Sequence, residues 1–343
     1  MKKATTILDA NRRFAVAPMM ELSDRHFRYL ARLLTQHSLL YTEMLTCKAV
    51  INGDRDYLLG TDSADYPVVL QLGGCDPVEM AEAASIGEAW GYDEININVG
   101  CPSDRVKSGR FGACLMAEPE TVAACVSAMQ NSVQVPVTVK CRLGIDRDDS
   151  YSALENFVQV VRDAGCQHFI VHARKAWLDG LSPKENRSIP PLRYPYVYKL
   201  KETLPDLHIT INGGVETWAE VHTHLKYVDG VMSGRKAYYQ PAFLGEADTS
   251  VFHDLPNAKP ASIDVESLAV VARNYAQYVQ GWIEQDVRAS ALTRHIVSLY
   301  HEVPGARLWR RHMSENASQC TDAVQLVEDA LEHVLKPNRV KRA

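Results

Sequence analysis

Eight short apolar segments, rich in β-branched residues, recur between residues 14 and 235. They alternate with stretches whose apolar residues follow the 3.6-residue period of a helix, such as DPVEMAEAASIGEAW and SALENFVQVVRDAG. The segments that predict strands are FAVAPM (14–19), LLYTEML (39–45), PVVLQLGG (67–74), YDEININVG (92–100), PVTVKCRLG (136–144), HFIVHAR (168–174), HITINGG (208–214) and DGVMSGR (229–235).

This alternation of strand and helix predicts the fold class. Near-continuous apolar strands are typical of parallel strands covered on both faces, and eight strand–helix units over roughly 250 residues match the (β/α)8 barrel. A doubly wound sheet usually has fewer strands and a glycine-rich turn before its first helix, which APMMELSDRHF lacks. We therefore predict an α/β protein with a TIM barrel over residues 1–260. A smaller all-helical domain is expected over 261–343, because 263–335 is helix-like apart from a break at PGA (304–306).

Composition narrows the class of protein. The chain has 343 residues, 46% of them apolar, and no apolar run reaches the roughly 18 residues of a membrane span. Residues 1–13 are polar and mixed in charge, so we expect a cytoplasmic protein without a membrane partner. The eight cysteines form no CxxC pair, and we therefore expect free thiols, no metal site and no disulfide framework.

Charge is unevenly distributed along the chain. The net charge is −5, but residues 287–312 contain five arginines and one acidic residue, and the chain closes on KPNRVKRA. A basic face in the C-terminal part predicts an anionic partner there. The sequence shows no feature that requires an obligate protein partner.

Polar residues and glycines stand at the ends of the predicted strands, where barrel enzymes carry their chemistry. Singly, a buried Asn or His usually satisfies a backbone group, and a lone cysteine is usually a small buried apolar residue. Eight such ends together predict an active site. The residues are Pro18, Met19, Met20, Glu43, Gln71, Asn98, Cys101, Lys140, Arg142, His172, Arg174, Asn212, Gly213, Gly214, Gly234 and Arg235.

The last two strand ends indicate a phosphate site. Glycines in INGGV and SGR let backbone N–H groups approach a ligand, and the loops after strands seven and eight are the usual phosphate site of this fold. The guanidinium group of Arg235 would add a positive charge that can form two parallel hydrogen bonds with a phosphate. Either glycine turn alone would indicate only a tight turn.

Lys140 suggests what else binds. With a phosphate bound there, Gln71, Lys140 and His172 would line a flat heterocycle, and a buried ammonium group needs a negative partner. A reduced flavin, which carries negative charge near its pyrimidine edge, is one such partner. A salt bridge to Glu43 or Asp93 is the alternative.

The sequence blocks resemble the flavin-dependent tRNA dihydrouridine synthases, and among them the A-type enzymes. The resemblance covers nearly the whole chain. The matching blocks are APMMELSDRHFR, YTEM, QLGG, NVGCPSDRV, VTVKCRLG, VHARKAWLDGLSPKENRSIPPL, INGGV, GRKAYYQP and PGARLWRRHMSEN.

The resemblance implies an FMN enzyme that uses NADPH to reduce a uridine of the tRNA D-loop, at position 20 and in some cases 20a, to dihydrouridine. Hydride would go from reduced FMN to C6, and Cys101 would donate a proton to C5. The FMN ligands implied are Pro18, Met19, Met20, Gln71, Lys140, His172, Asn212, Gly213, Gly214, Gly234 and Arg235. The tRNA contacts implied are Asn98, Lys184, Arg187, Arg307 and Arg310, and Arg311 is a plausible addition.

Two rival functions remain open. An FMN barrel enzyme acting on a free pyrimidine such as dihydroorotate would also need a lysine and a cysteine, but it gives no reason for an arginine-rich helical tail. The chain could instead be an RNA-binding or chaperone-like protein that kept the barrel and lost its enzymatic activity. In that case we would expect some of the active-site residues to be missing. The thiol, lysine, histidine and glycine turns are all present, so we favour the tRNA enzyme.

Overall fold

The eight predicted strands form one closed barrel in the computed structural model, which describes residues 7–61, 66–259 and 263–337. The strands are β1 Phe14–Val16, β2 Leu39–Thr46, β3 Val68–Gly73, β4 Glu94–Val99, β5 Val137–Arg142, β6 His168–His172, β7 His208–Asn212 and β8 Gly230–Ser233. Every neighbouring pair is parallel, and β1 closes the barrel against β8. The predicted TIM barrel is confirmed.

Helices follow the strands in turn. The α-helices of the described ranges are α1 Ile7–Asn11, α2 Arg25–Leu34, α3 Cys47–Asn52, α4 Arg55–Leu59, α5 Pro77–Ala89, α6 Asp104–Ser108, α7 Pro119–Gln130, α8 Tyr151–Asp163, α9 Tyr194–Thr203, α10 Trp218–His224, α11 Arg235–Tyr239, α12 Ala247–Val251, α13 Val265–Ile283, α14 Ala289–Thr293, α15 Ala306–Asn316 and α16 Ala323–Leu335. Short 3₁₀ helices lie at Gly112–Ala117, Glu185–Arg187, Pro241–Glu246 and Ala317–Gln319. The predicted C-terminal helical region is therefore confirmed, with α15 beginning at Ala306, the last residue of PGA.

Side-chain caps explain where several helices begin. Asp76 accepts hydrogen bonds from the backbone N–H groups of Val78 and Glu79 at the start of α5. Thr217 and Glu220 form a capping box at the start of α10. These bonds satisfy N–H groups that have no partner within the helix.

Most of the strands end before the predicted segments do. β1 is predicted to reach residue 19 but ends at Val16, because Pro18 has no N–H group to continue the ladder. The other strand ends differ from the prediction by one or two residues. The residues left over, including Gly100, Gly213 and Gly234, lie with Cys101 in loops at the carboxyl ends of the strands, which we call the barrel mouth.

The chain divides into two compact units. One contains the residues up to Glu21 together with Ser38–Gly234, and the other contains Leu22–His37 together with the residues from Arg235 onward. The predicted boundary between 260 and 261 lies outside the described residues and stays a prediction. None of the helices in the described ranges has both the length and the apolar character required to cross a membrane.

The first crossover helix, α2, belongs to the second unit. Tyr29 of α2 stacks on Tyr278 of α13, with ring centroids 3.8 Å apart. Directly after α2, the buried carboxylate of Asp248 accepts hydrogen bonds from Thr35 Oγ1 at 2.6 Å and from the backbone N–H of Gln36 at 2.8 Å. These contacts anchor α2 among the C-terminal helices.

The barrel combines a cluster of buried apolar side chains with a buried ion pair. Glu94, at the start of β4, is fully buried, and its Oε2 accepts hydrogen bonds from Arg12 Nε at 2.9 Å and Nη2 at 2.5 Å. Burial by itself raises the pKa of Glu94, but the charge of Arg12 and the hydrogen bonds from neighbouring side chains lower it well below its usual range. Glu94 is therefore an ionised carboxylate inside the barrel.

We predict that Arg12→Met strongly destabilises the protein. The substitution leaves the Glu94 carboxylate buried without its cation, which typically costs about 3–5 kcal/mol. Urea unfolding followed by circular dichroism measures the loss. Arg147→Met is the matched control, because Arg147 is exposed and a surface change of this kind costs within about 0.5 kcal/mol. Equal stability of the two variants would contradict the prediction.

Candidate active site at the barrel mouth

Strand register brings the predicted residues of neighbouring strands together. Asn98 pairs with Lys140 between β4 and β5. His172 pairs with Arg142 on one side and with Asn212 on the other. Because all eight strands are parallel, their carboxyl ends meet at one face. The barrel mouth therefore carries an amide, an ammonium, a guanidinium and an imidazole on adjacent strands.

The side chain of Asn98 holds the backbone at Cys101. Its Oδ1 accepts hydrogen bonds from the Gly100 N–H at 3.1 Å and the Cys101 N–H at 2.9 Å. Its Nδ2 donates to Gln71 Oε1 at 2.7 Å. Asn98, predicted from the resemblance to contact tRNA, thus also fixes the turn from which the Cys101 side chain projects.

A tight turn at Gly112 closes the loop after Cys101. The Ala113 N–H donates to the Cys101 carbonyl at 2.9 Å. Gly112 has φ +75°, and a Cβ atom there would lie 2.6 Å from the same carbonyl, so only glycine fits. The Cys101 thiol is free and partly exposed, with Sγ 3.5 Å from Ser103 Oγ. The loop therefore holds the Cys101 backbone while leaving its thiol accessible.

Lys140 is a cation without a carboxylate partner among the described residues. Its Nζ donates to Asn212 Oδ1 at 3.1 Å, and the alternative salt bridge to Glu43 or Asp93 does not form. Asp93 instead accepts a hydrogen bond from the Val68 N–H at 2.8 Å. Burial, with a smaller contribution from Arg142, lowers the pKa of Lys140 to about 8. An anionic ligand beside Lys140 would offset this cost.

The glycine turns after β7 and β8 differ in backbone conformation, because only those after β7 have positive φ values. Gly213 and Gly214 have φ values of +114° and +72°. A Cβ atom on Gly213 would lie 2.7 Å from His172 Cδ2, so a larger residue would displace the imidazole. A Cβ atom on Gly234 would lie 3.6 Å from Met19 Sδ. The turns after β1, β7 and β8 therefore approach residues of the mouth closely.

The remaining predicted ligands differ in exposure. Gln71 is fully buried in β3, and Pro18 and Met19 are partly buried after β1. Met20 is exposed, with 53% of its surface accessible. Arg235 is exposed at the first position of α11.

Arg142 connects the Cys101 turn to the long loop after β6. Its Nε donates to the Gly100 carbonyl at 2.9 Å, and its Nη1 donates to the carbonyls of Lys175 at 3.1 Å and Asn186 at 2.9 Å. Burial lowers the pKa of Arg142 to about 10. This loop carries Lys184 and Arg187, whose side chains are exposed.

The three predicted arginines of the helical unit lie on α15. Arg307 and Arg311 are exposed. Arg310 is partly buried, and its Nη1 donates to the Tyr300 carbonyl at 3.2 Å. Trp309, on the opposite face of the helix, is fully buried, so its packing fixes which face the arginines occupy.

Sequence reasoning missed three buried residues that support the site. Glu94, Asn96 and Thr138 line the barrel interior, and Asn96 joins Gln71 to Thr138 by hydrogen bonds of 2.9 and 2.8 Å. The signal was present in DEININVG, where polar residues alternate at positions 94, 96 and 98. Such a period of two places all three on one face of a strand.

A closed parallel barrel with a lysine, a histidine, glycine turns and a free thiol at its mouth is typical of a barrel enzyme. The sequence profile of the dihydrouridine synthase (Dus) family matches residues 15–335. The tRNA-dihydrouridine(20/20a) synthase of Synechocystis sp. is 52% identical over 318 residues, which cover 93% of each chain. Proteins of the same name match in Yersinia pestis (52% over 320 residues, 93% of this chain and 90% of the relative) and Escherichia coli K12 (50% over 323 residues, 94% and 91%). The chain belongs to the dihydrouridine synthase family, and the prediction of an enzyme of that family is confirmed.

We predict a pH-dependent stability that depends on Lys140. The folded chain releases the Lys140 proton near pH 8, whereas its ordinary pKa is 10.5. Between these values the unfolded chain binds more protons, so the free energy of unfolding rises with pH. Relative to Lys140→Met, the wild type should gain on the order of 1 kcal/mol per pH unit as the pH rises from 8 towards 10.5, and this gain should be absent below pH 8.

Urea unfolding of the ligand-free protein at several pH values measures this difference. Lys226→Met is the matched control, because Lys226 is exposed and its removal should give a curve parallel to the wild type. A parallel curve for Lys140→Met would show that Lys140 carries no burial cost.

Proposed function

We propose that this enzyme reduces the C5–C6 double bond of uridine 20 or 20a in the D-loop of tRNA. The balanced reaction converts uridine, NADPH and one proton into 5,6-dihydrouridine and NADP⁺. The observation that carries the proposal is the pairing of an accessible thiol, held on a fixed backbone, with an uncompensated lysine at one barrel mouth. The names of the relatives, which cover nearly the whole chain, support the tRNA substrate.

The residues at the mouth fit a flavin mononucleotide. The turns at Gly213, Gly214 and Gly234 have no side chains that would keep a phosphate away from the backbone, and Arg235 would supply positive charge at the start of the next helix. Lys140 is a cation that lacks a carboxylate partner among the described residues and suits an electron-rich ring. Pro18, Met19, Met20, Gln71, His172 and Asn212 would complete the site. When bound, reduced FMN supplies the hydride for C6 of the uracil, and NADPH is the reductant that restores it.

Cys101 supplies the proton in this proposal. A thiol can give its proton to C5 as the hydride arrives at C6, which leaves a thiolate. The positive charges of Lys140 and Arg142 both interact favourably with a negative charge on Cys101. The thiolate then takes a proton from solvent, which is the proton consumed in the balanced reaction.

Arginines and lysines outside the mouth would bind the tRNA. The target base is inaccessible within folded tRNA, so it has to be extruded into the barrel mouth. Lys184 and Arg187 are exposed on the loop that Arg142 fixes, and Arg307, Arg310 and Arg311 form a basic face on α15. Contacts from these side chains to phosphates would position the tRNA without reading its sequence.

The direct test is to map the product. The purified enzyme is incubated with NADPH and tRNA that lacks dihydrouridine, and nuclease fragments are analysed by mass spectrometry. We expect a gain of two hydrogens in the D-loop fragment at position 20 or 20a. Flavin that is reduced by NADPH without any change in tRNA would favour a reductase of a free pyrimidine. A protein without flavin would favour a binding protein.

In this assay, Cys101→Ala should keep FMN and tRNA binding but lose most dihydrouridine formation. Loss of a general acid typically costs about 10²–10⁴-fold in rate. Cys114→Ala is the matched control, since Cys114 is another free, partly buried thiol. Normal turnover by Cys101→Ala would exclude Cys101 as the proton donor.

We predict that the double variant Arg307→Glu, Arg310→Glu binds tRNA more weakly and with a shallower salt dependence. Each lost phosphate contact should reduce the slope of log K against log salt by about 0.7–0.9. Filter binding at several salt concentrations measures this slope, and oxidation of NADPH by oxygen should be unchanged.

The control for this experiment is Lys226→Glu. Lys226 is an exposed residue that precedes β8, at the opposite end of the strand from the mouth. The substitution Lys226→Glu reverses a positive charge, as the test variant does, but on a surface that is not expected to contact tRNA. If both variants bind tRNA as tightly as the wild type, the basic face on α15 is not a tRNA site.

A further inference from the structure

A chain of five hydrogen bonds runs through the barrel interior from the Cys101 turn to Glu94. The Cys101 N–H donates to Asn98 Oδ1 at 2.9 Å, and Asn98 Nδ2 donates to Gln71 Oε1 at 2.7 Å. Gln71 Nε2 donates to Asn96 Oδ1 at 2.9 Å, and Asn96 Nδ2 donates to Thr138 Oγ1 at 2.8 Å. The last bond goes from Thr138 Oγ1 to Glu94 Oε1 at 2.7 Å. Every donor thus points towards the carboxylate.

The two ends of this chain impose the same direction on it. At the mouth, two backbone N–H groups can only donate, so the atom of Asn98 that faces them must be its oxygen. At the interior end, an ionised carboxylate can only accept, so the Thr138 hydroxyl must donate to Glu94. Turning any amide between them would bring two donors or two acceptors face to face. The orientation of each amide is therefore fixed by groups outside it.

This direction decides what Asn98 can offer to a ligand. Its Oδ1 already accepts two hydrogen bonds, whereas its Nδ2 donates one and has a second N–H. A substrate next to Asn98 therefore meets a donor and not an acceptor. Among pyrimidine groups, a ring carbonyl oxygen satisfies that donor and an amino group does not.

We propose that Thr138 and Glu94 are positioning residues, which act through Asn96 and Gln71 to fix the Asn98 amide and the Cys101 backbone for proton transfer. The proposal rests on the function proposed above. Thr138 and Glu94 lie in the interior, and Thr138 contacts Cys101 only through the intervening amides. Hydrogen bonds aligned in one direction strengthen each other. The charge of Glu94 can therefore influence the Asn98 amide through four successive hydrogen bonds.

The test compares Thr138→Val with Thr138→Ser. Valine has nearly the shape of threonine but can neither accept from Asn96 nor donate to Glu94, whereas serine keeps the hydroxyl. Both variants retain the Arg12–Glu94 ion pair. Two rate constants are measured with bound FMN: reduction of the flavin by NADPH, and formation of dihydrouridine in a single turnover with saturating tRNA.

We expect Thr138→Val to form dihydrouridine about 10–100-fold more slowly, the usual cost of losing an outer hydrogen bond or of a small misplacement. Flavin reduction should stay within about twofold, because it does not use Cys101, and Thr138→Ser should restore the rate of dihydrouridine formation. A simple loss of folded enzyme would lower the amplitude of the single turnover and leave its rate constant unchanged.

Three results would overturn the proposal. One is an equal rate of dihydrouridine formation in Thr138→Val and the wild type, and another is a parallel loss of flavin reduction, which would place the defect in the cofactor site. If the wild type itself forms no dihydrouridine, the proposed function fails and the positioning role falls with it. Should Thr138→Val not fold, Asn96→Leu breaks the same chain one bond closer to Asn98 and should show the same separation of the two rates.

Discussion

The buried carboxylate of Glu94 is the interaction on which the barrel interior depends. A charge inside a protein is costly unless it is paired and hydrogen-bonded, and Glu94 meets both conditions through Arg12 and Thr138. Because an ionised carboxylate accepts but cannot donate, the Thr138 hydroxyl must donate to it, which is the direction that the other hydrogen bonds of the chain share. Glu94 at the interior end and the backbone N–H groups of Gly100 and Cys101 at the mouth therefore favour the same orientation of the amides between them.

The mouth contrasts with this interior. Lys140 and Arg142 are surrounded by amide and carbonyl groups rather than carboxylates, and burial lowers the pKa of both. The described residues do not offset the free-energy cost of burying these two cations. The ligand-free protein therefore has a positively charged site at the mouth. In the proposed function, bound flavin would supply the missing negative charge.

Much of this architecture could be predicted from sequence, because parallel strands and amphipathic helices are local patterns. All eight strands lie where the apolar segments predict them. The association of α2 with the C-terminal helices could not be predicted, since the carboxylate that anchors it, Asp248, is more than 200 residues away.

The sequence by itself determined the barrel, the helical C-terminal region and the family, because each depends on residue types at fixed spacings along the chain. The tertiary structure alone decided how Lys140 is partnered, since either a salt bridge or an open cation was compatible with its position in the sequence. It also decided the hydrogen-bond chain from Cys101 to Glu94. That chain depends on the register of β3, β4 and β5, which brings together side chains that are far apart in sequence.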